Sequence, residues 1–271
     1  MDQKRININD KIYYYWEKNS ELENTSIFIH GLGGDHRGLI KLTKEILNQR
    51  VIILDLPGYG LSSSLVGKHD LNSYAEFIED FRKIINLKKF NLIGHSFGCA
   101  ISLRYTEKFS NQIKILILIN PYTKNTNTIT SRMGLIYSDI AVLFPNKIAH
   151  FMLCNKITVF LTDALVMYTK DKQIRQKILD EDYLNYKRAD IRALRDCLRE
   201  LKNNQPNISS HYLFNIYIIA SNHDSIVSNR TIELLAKNIK AKEVIYIESG
   251  HLLPLEQPEL IYDTLQSLLS S

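Results

Sequence analysis

The chain has 271 residues, 45% hydrophobic and 23% charged, an ordinary globular composition that excludes a disordered or fibrous class. Lys and Arg number 34 against 29 Asp and Glu, a formal charge of +5 spread along the sequence, so nucleic-acid binding is not indicated. The length suits one α/β domain carrying an inserted segment.

The N-terminal stretch MDQKRININDKIYYYWEKN is charged and lacks the apolar core and small-residue cleavage site of a signal peptide, which makes the cytoplasm the expected location. Within it, the aromatic run from Ile12 to Trp16 is expected to form an antiparallel edge strand. Six further strand candidates follow: TSIFIHG, RVIILDLPG, FNLIGHS, IKILILINP, FNIYIIASNHD and EVIYIESGH. Most are apolar at both odd and even positions, as a parallel sheet covered on both faces requires. Between them, residues 36–47, 72–85, 96–109, 229–239 and 258–269 space apolar side chains three and four apart, which predicts helices. The alternation predicts a doubly wound, mostly parallel α/β sheet whose functional face is the carboxyl edge of its strands.

One segment breaks the alternation. From Pro121 to about Gln205 only helical patterns occur, with Met133, Met152, Met167, Phe144, Phe151 and Phe160 among them. This predicts a core of residues 1–120 and 206–271 and a helical cap over 121–205, part of which lines a pocket. The longest apolar runs there, GLIYSDIAVLF and ITVFLTDALVMY, are each interrupted by an Asp and too short to span a bilayer, so no transmembrane helix is expected. The basic stretch KRADIRALRDCLRELK is interleaved with Asp190, Asp196 and Glu200 and is expected to be a solvated helix face, with at most a weak attraction to acidic or lipid surfaces. Cys99, Cys154 and Cys197 form no CxxC pair and are expected to be buried fillers in a reducing compartment.

Chemistry concentrates at NLIGHSFG. Ser96 stands between Gly94 and Gly98 where a strand gives way to a helix, and a serine so placed can be a nucleophile if a base, an orienting acid and oxyanion donors are supplied. The pieces FIHGLGGDHRGL, VIILDLPGYGLSS, NLIGHSFGCAISLRY, ASNHDSIV and SGHLLPLEQPE, in that order, resemble the α/β-hydrolase superfamily across nearly the whole chain. The resemblance implies an eight-stranded, mostly parallel sheet, a serine at an elbow after the fifth strand and a cap inserted after the sixth. It assigns Ser96, Asp224 and His251 as nucleophile, acid and base, in the Ser, acid, His order of this fold. Asn120-Pro121 occupies the alternative acid position after the sixth strand, so Asp224 is preferred. Asp55 is expected to be a turn carboxylate. The motif His30-Gly31-Leu32-Gly33-Gly34 resembles the family's oxyanion loop, with the backbone amides of Leu32 and Phe97 as donors and with His30 and His95 as supports. A phosphate-binding loop is excluded there because neither G-x-G-x-x-G nor G-x-x-x-x-G-K-[ST] is present. His69, His150 and His211 carry no motif, and His223 is expected in an exposed turn.

Serine rather than aspartate at the nucleophile position disfavours epoxide hydrolase and haloalkane dehalogenase chemistry. A serine carboxylesterase acting on small to medium, apolar acyl or aromatic esters is expected, without metal or organic cofactor, as a monomer or homodimer. The alternatives are a carbon-carbon bond hydrolase of ring-fission products and a ligand receptor on the same fold.

Overall fold

A computed structural model describes residues 1–271 apart from 45, 123–127, 204–211 and 271. Eight strands form one sheet: β1 (Asp2–Ile8), β2 (Lys11–Lys18), β3 (Thr25–Ile29), β4 (Arg50–Leu54), β5 (Phe90–His95), β6 (Ile113–Ile119), β7 (Asn215–Ser221) and β8 (Glu243–Ile247). Their spatial order is β1-β2-β4-β3-β5-β6-β7-β8. Strand β2 runs antiparallel to both β1 and β4, and β3 through β8 are parallel. The helices in chain order are α1 (Arg37–Thr43), α2 (Leu71–Ile84), α3 (Phe97–Phe109), α4 (Ile129–Ala141), α5 (Asn146–Cys154), α6 (Lys156–Val166), α7 (Lys172–Arg188), α8 (Ile191–Asn203), α9 (Asn229–Ile239), α10 (Leu253–Glu256) and α11 (Pro258–Ser270).

The strand pattern explains the two layers. Ile27 and Ile29, Leu92, Leu116 and Leu118 face one way, onto Phe77, Ile78 and Phe81 of α2 and Ile101 of α3. Their neighbours Phe28, Ile93, Ile117 and Ile119 face the other way, onto Leu39 and Leu42 of α1 and Ile261 and Leu265 of α11. Burying each such side chain contributes about 1.5–3 kcal/mol, so strands apolar on both parities are stable only when helices cover both faces.

Three expectations are corrected. Ile12 to Trp16 lie in an antiparallel strand, but the edge is β1, whose charged sequence hides it. The two strands join through Asn9 and Asp10, both at positive φ (51° and 60°), a two-residue hairpin signal that Asn and Asp tolerate. Of the helix expected over 36–47, the described residues form Arg37–Thr43, and residue 45 lies outside the described residues. The basic stretch before Lys202 is more than a solvated face: Ala193, Leu194 and Cys197 are buried, and the Asp196 and Glu200 carboxylates accept the backbone N–H of His69 and Leu71, each at 3.1 Å. These acids tie α8 to the loop leading into α2.

Helices α4 to α8 fill the interval between β6 and β7 and share a cavity with the carboxyl ends of the strands. His211 and the expected boundary at 205/206 lie outside the described residues. All three cysteines are free and buried. Among the described residues no single helix is long and apolar enough to cross a membrane.

Candidate active site

Strand β5 delivers Ser96 to the carboxyl edge, and α3 begins at the next residue. Ser96 adopts φ 50° and ψ −114°, a conformation that costs a non-glycine residue about 1–3 kcal/mol and persists only when its surroundings enforce it. Two glycines make the enforcement possible. A Cβ at Gly94 would stand 2.6 Å from the Gly98 carbonyl oxygen, and one at Gly98 would stand 2.4 Å from the Ile29 carbonyl oxygen. The sharp turn therefore packs against β3 with no room for a side chain, while the Ser96 N–H donates to the Ile119 carbonyl of β6 at 2.9 Å.

Ser96 Oγ lies 2.9 Å from His251 Nε2, and His251 Nδ1 lies 2.7 Å from Asp224 Oδ2. The other Asp224 oxygen accepts the backbone N–H groups of Ile226 and Val227 at 2.7 and 2.9 Å, so the turn after β7 fixes the carboxylate's orientation. A carboxylate at Nδ1 selects the tautomer that carries its proton there, leaving Nε2 to accept the serine hydroxyl. The His251 backbone is clamped as well: its N–H donates to the Val166 carbonyl at the end of α6, at 2.9 Å. Sequence alone places Ser96, Asp224 and His251 on three separate loops; the fold brings all three side chains into one hydrogen-bonded line.

The supporting residues sit around that line. His95 ends β5, and its Nε2 lies 3.2 Å from the His251 carbonyl oxygen. Burial pushes its pKa down to about 3, so the ring is neutral and donates that bond. His30 Nδ1 lies 2.8 Å from the Gly31 carbonyl, and its Nε2 accepts the Leu56 N–H at 3.1 Å. Burial lowers its pKa too, so His30 is a neutral bracket between the loop after β3 and the loop after β4. Gly31 and Leu32 line the same cavity as Ser96, and the Gly34 N–H closes the loop onto the Gly31 carbonyl at 3.2 Å. Gly33, at φ 72°, lies beneath the Tyr186 ring of α7, where a Cβ would stand 2.3 Å from the ring. Phe97 opens α3, and the first amides of a helix have no partner within it.

Two groups of residues escaped the sequence reading. Asn120, expected only to be a non-acid, is 1% exposed and holds φ 44°. Its Nδ2 shares its two hydrogens among Ser221 Oγ at 2.9 Å, the Gly250 carbonyl at 3.2 Å and the His251 carbonyl at 3.0 Å, while its Oδ1 accepts the Ser221 N–H at 2.8 Å. It joins the ends of β6 and β7 to the loop that carries the histidine. The second group is Asp163 on α6 and Asp182 on α7, both lining the cavity. Asp163 is 4% exposed, and its Oδ2 has no hydrogen-bond partner. Burial first, and then the charge of Asp182, pushes its carboxyl well above the usual carboxylate range. Burial, followed by Glu181, raises Asp182 as well. The available signal was a lone Asp within ITVFLTDALVMY.

The cavity holds about 250 Å³ and is walled by Ser96, His251, Tyr137, Leu153, Tyr186 and Leu198 among others. It is mostly apolar, the usual character of a small-molecule site. Asp35, His36 and Asp55 bring ligand-type atoms within 4.8 Å of one another. Those carboxylates are already engaged, however. Arg37 binds Asp35, while the His36 N–H, the His36 ring and the Leu61 N–H bind Asp55 at 2.8 to 2.9 Å. This agrees with the turn role expected of Asp55.

The family model for the alpha/beta hydrolase fold matches residues 27–258, most of the chain. The chain belongs to the alpha/beta hydrolase fold family. Among curated proteins, this alpha/beta hydrolase is 28% identical over 117 residues to the dihydrolipoyllysine-residue acetyltransferase component of the acetoin cleaving system of Pseudomonas putida, covering 43% of this chain and 32% of that one. The chain thus matches about a third of that relative's length. Two solved structures share the whole fold. A thermophilic esterase from Thermogutta terrifontis superposes with a TM-score of 0.81 at 16% identity, over 100% of this chain and 98% of its own. The enol-lactonase from Burkholderia xenovorans LB400 gives 0.84 at 12% identity, over 99% and 100%.

Proposed function

We propose that this alpha/beta hydrolase is a serine carboxylesterase that cleaves small to medium, apolar acyl or aromatic esters through an acyl-enzyme on Ser96. The observation that carries the reading is the unbroken line from Asp224 through His251 to Ser96 at the wall of an apolar cavity. In this mechanism His251 Nε2 takes the Ser96 proton as Oγ attacks the ester carbonyl carbon. The backbone amides of Leu32 and Phe97 receive the negative charge on the carbonyl oxygen, aided by the dipole of α3. The imidazolium, stabilised by Asp224, then protonates the departing alcohol, leaving the acyl group on Ser96. Water, deprotonated by His251, attacks the acyl-enzyme; the acid departs and Ser96 regains its proton.

The cavity volume supports the size range, since about 250 Å³ falls just below the usual span of drug-sized pockets. The helical insertion acts as the cap: α6 contributes the Val166 carbonyl that steadies His251, and α7 contributes Tyr186 over the oxyanion loop. A series of p-nitrophenyl esters from acetate to laurate tests the reading, with Ser96→Ala as the control. Turnover is expected to peak at short or medium acyl groups and to fall at least about 10³-fold in the variant. Equal turnover by Ser96→Ala would refute it, and a vinylogous diketone cleaved in preference to every ester would favour the carbon-carbon hydrolase.

A further inference from the structure

Helices α4, α5 and α6 place apolar side chains on their outer surfaces. Ile129 and Ile136 lie two turns apart on α4, Leu143 stands in the link to α5, Phe151 is on α5, and Ile157 and Leu161 lie one turn apart on α6; their exposures run from 57% to 82%. The three helices pack in succession, α4 on α5 and α5 on α6, and so many large apolar groups exposed on neighbouring helices mark an interaction site. The same helices turn their other sides inward, where Gly134 and Tyr137 of α4 and Thr162 and Asp163 of α6 line the cavity that holds Ser96. One layer of helix therefore separates this surface from the candidate site.

The charges within the surface have a sign. Between 129 and 166 the exposed charged side chains are Arg132, Lys147, Lys156 and Asp139. Asp139 is ion-paired with Lys202, and the remaining acid of the stretch, Asp163, is buried. Lys156 stands 3.7 Å from Asp180; this pair and Asp139–Lys202 are both exposed and weak, and the two acids are outnumbered by Arg132, Lys147, Lys156 and Lys202. The face is thus apolar with a cationic fringe.

We propose that the outer faces of α4, α5 and α6 seat the protein on an anionic lipid surface. Apolar side chains entering the acyl boundary and cations meeting anionic headgroups are the two contributions that hold an amphipathic helix in a membrane interface. The helices are too short to span: α5 and α6 pass for a membrane segment only when taken together, and a 46° bend separates them. A lipid surface suits the face better than a second copy of the chain. A symmetric dimer built on it would press a face with a surplus of cations against its own copy, an unfavourable match of charge. The seat holds the cavity one helix away from a store of esterified acyl chains.

Flotation with phospholipid vesicles tests the proposal, using pure phosphatidylcholine and a mixture in which about a third is phosphatidylglycerol. The protein is expected to float with the anionic vesicles at least tenfold more than with the neutral ones, and less as salt screens the headgroups. The triple variant Leu143→Asp, Phe151→Asp, Ile157→Asp should lose at least tenfold of that binding while keeping its melting temperature and its turnover of soluble p-nitrophenyl acetate. No flotation of the wild type, or equal flotation of the variant, overturns the proposal. So does a dimer, seen by light scattering, that the variant converts to monomer. Vesicle binding is read without turnover, so failure of the esterase reading leaves this test intact.

Discussion

The Asn120 side-chain amide donates to the backbone carbonyl of His251 at 3.0 Å, across 131 residues of sequence. That bond, with those to Gly250 and Ser221, sets where the histidine loop leaves the sheet. Asn120→Ala leaves the buried Ser221 N–H without its acceptor and takes one of two donors from each of the Gly250 and His251 carbonyls, and is expected to cost about 1–3 kcal/mol of stability. Because the imidazole then loses its register with Ser96, kcat should fall about 10- to 100-fold with little change in KM. Ester kinetics beside thermal melts would check this; an unchanged kcat would reduce Asn120 to a structural residue.

Gly98→Ala tests the elbow. The added methyl would stand 2.4 Å from the Ile29 carbonyl oxygen, and a backbone atom at the centre of the sheet cannot yield. Strand and helix must separate, with an expected loss of about 3 kcal/mol or more. Chemical denaturation measures it. Gly134→Ala is the matched control: nothing lies within 4 Å of the added methyl and Ala favours a helix interior by about 1 kcal/mol over Gly, so its midpoint should equal or slightly exceed that of the wild type.

The parallel strands and the helices flanking them were legible because burial on both faces writes apolar residues at every position, as in IKILILI of β6. Strand β1 was not, because an edge strand exposes most of its side chains and DQKRINI carries no apolar run. Within the site, Ser96, Asp224 and His251 were legible through their motifs, each local in sequence. Asn120 was invisible as a positioning residue, since its role depends on the loop after β8, which only the folded sheet brings near. The Asp163–Asp182 pair was hidden for the same reason, being a meeting of α6 and α7.

Asp163→Asn should remove one contribution to the loss of stability with rising pH. The carboxyl, held neutral by burial and by Asp182, has a folded pKa raised above its ordinary 3.8. Between those two values the folded chain binds more protons than the unfolded one, so this group's contribution is complete below about pH 4 and declines as pH rises through the raised value. The amide cannot ionise and removes that decline. The variant's melting temperature is expected to match the wild type near pH 4 and exceed it increasingly toward pH 8, by about 2–4 °C for each kcal/mol recovered. Melting curves across that range decide it, and a gain that is independent of pH would contradict the assignment.

The most direct test of the central claim is labelling with a fluorophosphonate, read by intact mass and peptide mapping. A serine activated by His251 should take one adduct, on Ser96, which Ser96→Ala abolishes and His251→Ala slows by about 10³-fold or more. A folded wild-type protein that stays unlabelled, or that carries its adduct elsewhere with Ser96 untouched, would contradict the account.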